Sequence, residues 1–181
     1  MNILRLSLEL DQLSQERDEL WKKIFQEVDP EGHHGDETKP IPHGWNCTLY
    51  ADEGVIEAHI TIDYPNLVKS VFEPGKYYLI TCTCNVPQCT GINDPIGVTH
   101  ENQVIRWHIT DPRPERRFTF SKAQYSSAIL SFLREVQNTV PPSDVDYEFR
   151  IGCDHFSQRD LDRCIRVLES GTLEGPSKER S

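Results

Sequence analysis

The densest run of reactive side chains in this chain of 181 residues is Cys82-Thr83-Cys84-Asn85-Val86-Pro87-Gln88-Cys89, followed by His100. Alternation along a strand puts Cys82 and Cys84 on one face, with Cα atoms about 7 Å apart. That is too far for an easy disulfide and suitable for two thiolates converging on one ion. The Val86-Pro87 turn can bring Cys89 back over the same face, and the loop to His100 offers a fourth ligand. Three sulfurs and one imidazole are what tetrahedral Zn²⁺ accepts, so Cys82, Cys84, Cys89 and His100 are the expected metal ligands. Four protein ligands leave no open position for water, which makes the expected role of zinc structural. The spacing C-x-C-x₄-C-x₁₀-H is not a standard finger spacing, and buried thiols in a loop-rich corner are the plain alternative. Asp94 and His108 are alternative ligands. Glu101, beside His100, is an acceptor for the ring or a general base if only three ligands bind.

A second chemistry uses the same residues: a metal-dependent or thiol enzyme, with Cys89 activated by His100 or His108. Such a thiol needs a neighbouring imidazolium or a helix N-terminus, and no helix start is legible there. Cys47 falls on a strand and Cys164 on a helix stripe, where burial is the simpler reading. Cys153-Asp154-His155 lies between a strand and a helix, a position where such residues usually cap the helix. His33-His34 with Asp36 and Glu37 sits in a Gly/Pro-rich stretch and reads as solvated. No Gly-rich phosphate loop, nucleophile elbow or dinucleotide fingerprint is present.

The charge balance narrows the partners. Twenty-nine acids against nineteen bases give a net charge of -10, which argues against binding a phosphate backbone. Arg113, Arg116 and Arg117 make only a small basic patch. Of the net charge, -9 falls in the first hundred residues, while the remainder is nearly balanced. A basic protein partner is therefore the expectation. The candidate contacts are Glu16, Asp18 and Glu19 on the first helix, and Asp52, Glu53, Glu57 and Asp63 on a hairpin. No stretch reaches the length of a membrane span. Met1-Asn2-Ile3-Leu4 lacks a basic leader, which predicts a cytoplasmic protein with reduced thiols.

The elements that must position these residues follow from apolar periodicity. Leu4, Leu6, Leu8 and Leu10 recur at period two and predict a strand. From Ser14 a helix carries Leu20, Trp21, Ile24, Phe25 and Val28, and Asp29-Pro30 ends it. Residues 1–28 form this opening unit, 29–44 a linker or loop, 45–170 the body and 171–181 a disordered tail. Trp45 to Ala51 and Val55 to Tyr64 read as a hairpin turning at Asp52-Glu53-Gly54. Lys76 to Cys84, Gln103 to Ile109, Arg116 to Phe120 and Tyr147 to Ile151 read as further strands. Ser121 with Gln124 reads as a capping box opening a helix with Tyr125, Ile129, Phe132, Leu133 and Val136 in its stripe. Ser157 with Asp160 opens a last helix carrying Leu161, Cys164, Ile165 and Leu168. The expected class is α+β: a mostly antiparallel sheet of about six strands, flanked on one side by two or three helices.

The segment YLITCTCNVPQCTGI, the histidine of Val98-Thr99-His100, VIRWHI, and Phe-Thr-Phe-Ser-Lys-x-x-Tyr opening a helix together resemble a pattern in small bacterial proteins, some of them immunity-like partners of toxins. The resemblance covers about residues 77 to 133. It implies a sheet-rich domain with a Cys, Cys, Cys, His cluster and carries over no catalytic residue. With the acidic first hundred residues, it makes the expected function immunity- or antitoxin-like protein binding, neutralising a basic effector.

Overall fold

A computed structural model describes residues 1–10, 45–81, 93–111, 114–139 and 158–173. The chain is α+β. In order, its elements are β1 (Leu4–Leu10), β2 (Trp45–Ala51), β3 (Gly54–Ile62), α1 (Tyr64–Phe72), β4 (Gly75–Tyr77), β5 (Ile80–Thr81), β6 (Ile96–Glu101), β7 (Val104–Ile109), β8 (Arg116–Ser121), α2 (Lys122–Thr139) and α3 (Gln158–Ser170). The expected first helix, the linker 29–44, Cys82 to Cys89, Cys153 to His155, the strand 147–151 and residues 174–181 lie outside the described residues.

The described strands form two antiparallel sheets, ordered β1-β2-β3-β5 and β4-β6-β7-β8. The sheets meet along both edges. On one side, Tyr78 and Leu79 carry the chain from β4 in one sheet to β5 in the other. The sequence reading ran a single strand from Lys76 through this point, but the two halves pair with different neighbours: Tyr77 with Ile96, and Ile80 with Ile62. On the other side, the Asn2 amide donates to the Thr119 carbonyl at 2.6 Å. The Thr119 amide donates back to Asn2 Oδ1 at 2.8 Å. Each sheet thus lends the other a partner at its edge, which limits the exposed backbone that edge strands otherwise present.

Helix α1 takes Tyr64, the last residue of the expected strand Val55 to Tyr64, and fills a stretch for which the sequence suggested no element. Asp63 caps it, accepting from the Asn66 amide at 3.0 Å, and Pro65 sits in its first turn, where no amide donor is required. Leu67, Val68 and Val71 are buried at helical spacing. Strand β6 was also unread: Ile96 and Val98 turn inward while Gly97 and Thr99 turn away. The capping box at Ser121 does not form. Ser121 belongs to β8, and the Gln124 side chain spans to β1, accepting from the Leu4 amide and donating to the Leu4 carbonyl at 2.9 Å. Tertiary pairing outcompetes the local cap because it satisfies two backbone groups of a neighbouring strand.

The core lies between the sheets and the helices. Leu4 and Leu6 of β1, Cys47 and Leu49 of β2, and Trp107 of β7 are buried, with Tyr125, Ile129, Phe132, Leu133 and Val136 of α2 and Leu161, Ile165 and Leu168 of α3. Trp107 meets Phe120 and Tyr125 edge-on at 5.3 and 5.7 Å, an arrangement the ring quadrupoles favour. Polar atoms at this centre form one directed chain. Trp107 Nε1 donates to Tyr125 Oη at 3.1 Å. Ser70 Oγ lies 2.8 Å from Tyr125 Oη and donates to the Leu67 carbonyl at 2.6 Å. The Ser70 proton is committed to that carbonyl, so Tyr125 must be the donor to Ser70. Burial raises the Tyr125 hydroxyl far above its ordinary range, which keeps the donating proton in place.

Candidate functional site

The hairpin of β2 and β3 turns through Asp52 and Glu53, with Ala51 paired to Gly54. Asp52 adopts a positive φ of 57°, a conformation an aspartate tolerates better than most residues with a side chain. Its carboxylate holds the N-terminus in place. Oδ2 accepts from Asn2 Nδ2 at 2.7 Å and Oδ1 from the Ile3 amide at 2.7 Å, while the Asp52 amide donates to the Ile3 carbonyl at 2.8 Å. The Asn2 and Ile3 hydrogen bonds lower the Asp52 pKa, so the carboxylate is charged and fixed at neutral pH.

Around this fixed turn the surface is apolar. Ile3 is 60% exposed, Val55 57% and Met1 83%. They are three of the four large hydrophobic side chains exposed among the described residues. Cross-strand pairing sets the shared face: Arg5 opposes Tyr50, and Tyr50 opposes Val55, while the N-terminal ammonium of Met1 acts on Asp52 at the same turn. Ile3 precedes Arg5 by two residues and so shares its face, which is opposite to that of Leu4 and Leu6 beneath α2. The Arg5 guanidinium stacks 4.2 Å over the Tyr50 ring, a cation–π contact. The open face ends at Thr48, which is buried. A corner therefore presents Met1, Ile3, Tyr50 and Val55 beside the anionic Asp52 and exposed Glu53.

The other expected partner contacts fall differently. Asp63 is the cap of α1, half-buried, and also accepts from Asn66 Nδ2 at 2.7 Å. Burial raises its pKa against the lowering effect of the Asn66 bonds. Glu57 lies on β3 opposite Leu49, with its side chain outside the described ones. Glu16, Asp18 and Glu19 lie outside the described residues. Sequence reasoning missed Met1, Ile3 and Val55. Their signal was phase: Ile3 is apolar on the polar phase of the Leu4-Leu6 alternation, and Val55 on that of Glu57 and His59.

Of the expected metal ligands, the described residues include only His100. It is on β6 rather than in a loop, and its Nε2 lies 2.9 Å from the Ser70 carbonyl at the C-terminal end of α1. A carbonyl only accepts, so Nε2 carries the proton and Nδ1 keeps a lone pair in the neutral ring. The segment holding the three cysteines leaves from β5 and returns at Asn93. That return is anchored by Asp111, which accepts from the Asn93 amide at 2.7 Å, and by Tyr78, which donates to the Asn93 carbonyl at 3.1 Å. His100 is four steps along β6 from Ile96, about 13 Å along a strand. The structure therefore places His100 at the opposite end of β6 from the root of the cysteine segment. Asp94 stands at that root, accepting from Thr110 Oγ1 at 3.1 Å. His108, an alternative ligand in the sequence, bonds Glu115 at 2.7 Å on the exposed face of the sheet, the face it shares with Arg106. Arg117, then His108, lowers the Glu115 pKa. Glu101 pairs with Arg106. Among the described residues no group of three metal-binding side chains converges, and no helix is long and apolar enough to cross a membrane. Cys47 and Cys164 are buried, and burial pushes the Cys164 thiol up to about 12, a value at which it is inert as a nucleophile.

Compared with known proteins, the chain matches no family model, no curated protein and no solved structure.

Proposed function

We propose that the chain is a cytoplasmic protein-binding module, immunity- or antitoxin-like, that occludes a basic effector through the corner formed by Met1, Ile3, Tyr50, Val55, Asp52 and Glu53. One observation carries this reading: three of the four exposed large apolar side chains among the described residues gather beside a carboxylate fixed by two hydrogen bonds. An apolar centre rimmed by charge is the composition of a protein interface, in which apolar anchors hold the complex and charge speeds and sorts encounters. The -9 net charge of the first hundred residues extends the attraction beyond the corner.

The proposed zinc site on Cys82, Cys84, Cys89 and His100 would serve structure. The bond from His100 Nε2 to a backbone carbonyl supports it, because a metal-binding histidine is commonly oriented by such an acceptor on its other nitrogen. Metal analysis of protein purified without chelator tests this. One zinc per chain, lost in Cys84→Ser together with the fold, supports a structural site; metal-free folded protein removes it.

The binding reading is tested by the variants Ile3→Ser, Val55→Ser and Glu53→Lys against the basic partner. Loss of the two apolar side chains is expected to speed dissociation. The charge reversal is expected to slow association and flatten the salt dependence. A complex unaffected by all three contradicts the proposal.

A further inference from the structure

Helix α3 carries Arg159, Arg163 and Arg166 at positions i, i+4 and i+7, and all three are exposed. That spacing puts them in single file along one face, spanning about 10 Å of helix axis. Their neighbours on the helix do not pair with them. Asp162, on one flank, accepts from Gln137 Nε2 at 2.7 Å, and Glu169, on the same flank, pairs with Arg134, so both acids are drawn toward α2. Each of the five other described arginines has an intrachain partner: Arg5 stacks on Tyr50, Arg106 pairs with Glu101, Arg116 donates to the Ile56 carbonyl, Arg117 pairs with Glu115 and Arg134 with Glu169. The three arginines of α3 have none among the described residues.

We propose that this stripe is a second docking surface, which takes an acidic protein segment presenting carboxylates in single file, such as a helix with acids at i, i+4 and i+7. Three guanidinium forks in line match carboxylates one by one and bidentately, which lysines do not. The stripe is narrow, bordered by Asp162 and Glu169 on one side and Asp160 on the other. A slender carboxylate-bearing segment fits between those borders, whereas the broad phosphate surface of a duplex meets them and the net charge of -10. The stripe is separate from the acidic corner: α3 packs on α1 and α2, while the corner is on the sheet face turned away from α2. Two surfaces of opposite character would let the chain bridge a basic and an acidic partner.

Fluorescence anisotropy on the full chain tests the stripe, with a labelled helical peptide carrying glutamates at i, i+4 and i+7 as the probe. Binding is expected to weaken about tenfold in the triple variant Arg159→Gln, Arg163→Gln, Arg166→Gln, whose fold is followed by circular dichroism. The triple Arg→Lys variant keeps the charge, loses the fork, and is expected to bind between the two. Raising salt from about 50 to about 200 mM should weaken the wild-type complex. No binding to the wild type, equal binding to the glutamine variant, or tighter binding of a DNA duplex through the same arginines overturns the proposal.

Discussion

Replacing Tyr125 by Phe removes one oxygen from the centre of the molecule and leaves its ring packing in place. Two bonds go with it. Trp107 Nε1–H, 1% exposed as a residue, loses its acceptor, and Ser70 Oγ loses a donor while keeping its own bond to the Leu67 carbonyl. A buried donor without a partner costs about 1–3 kcal/mol, and the lost acceptor contact on Ser70 costs less, because its hydroxyl remains bonded. Removing a polar group from a buried site returns part of that, so the net destabilisation is about 2 kcal/mol. For a chain of this size, about 2–4 °C per kcal/mol converts that into a fall in Tm of ~4–8 °C. Ser70→Ala leaves the Tyr125 hydroxyl without an acceptor and costs about 1–2 kcal/mol. Because one bond is shared, the double variant is expected to fall short of the sum by at least about 0.5 kcal/mol. Urea titrations followed by Trp fluorescence, at matched pH, give all four corners of the cycle. A Tyr125→Phe protein within about 0.5 kcal/mol of wild type, or a strictly additive cycle, refutes the directed chain.

Further outcomes follow from other parts of the fold. Asp63→Ala is expected to cost about 1 kcal/mol by uncapping α1, while Asp63→Asn keeps the cap; urea midpoints distinguish them. Burial raises the Asp63 pKa, so its contribution to stability is present below the ordinary carboxyl pKa of 3.8 and is lost as pH rises through the folded value. Asp63→Asn should therefore be more stable than wild type near neutrality and lose that advantage in acid. Gly75→Ala places a methyl 3.0 Å from the Tyr77 ring and is expected to cost about 1–3 kcal/mol as overpacking, read as a lowered Tm. Asp52→Ala removes the acceptors of Asn2 and Ile3, and hydrogen exchange should quicken at the amides of Ile3 and Leu4 while those of α2 stay protected.

Where the sequence was legible, one physical signal dominated. The stripe of α2 stood out because five apolar residues recur at helical spacing, and each is buried. The alternation of Leu4 and Leu6 correctly selected a strand over a helix. Helix α1 was hidden because Ile60 and Ile62 alternate straight into Tyr64, and its nine residues hold too short a stripe to compete. Asp63 with Asn66 and Pro65 was its signal. Strand β6 offered only Ile96 and Val98, after a proline. The candidate corner was least legible. The exposure of Ile3 depends on which face of β1 meets α2, and that of Val55 on the hairpin register, neither of which local pattern specifies. The acidic residues were visible as charge, yet not which of them hold the fold together: Asp52 clasps the N-terminus and Asp63 caps a helix.

The corner's role is tested most directly by binding kinetics with the basic protein that the chain retains from its host at low salt, purified and measured against wild type and the combined variant Ile3→Ser, Val55→Ser, Glu53→Lys. The account predicts an affinity at least about tenfold weaker for the variant, and a wild-type complex that weakens steeply as salt rises. Full-strength binding by a folded variant, or a complex indifferent to salt, contradicts it.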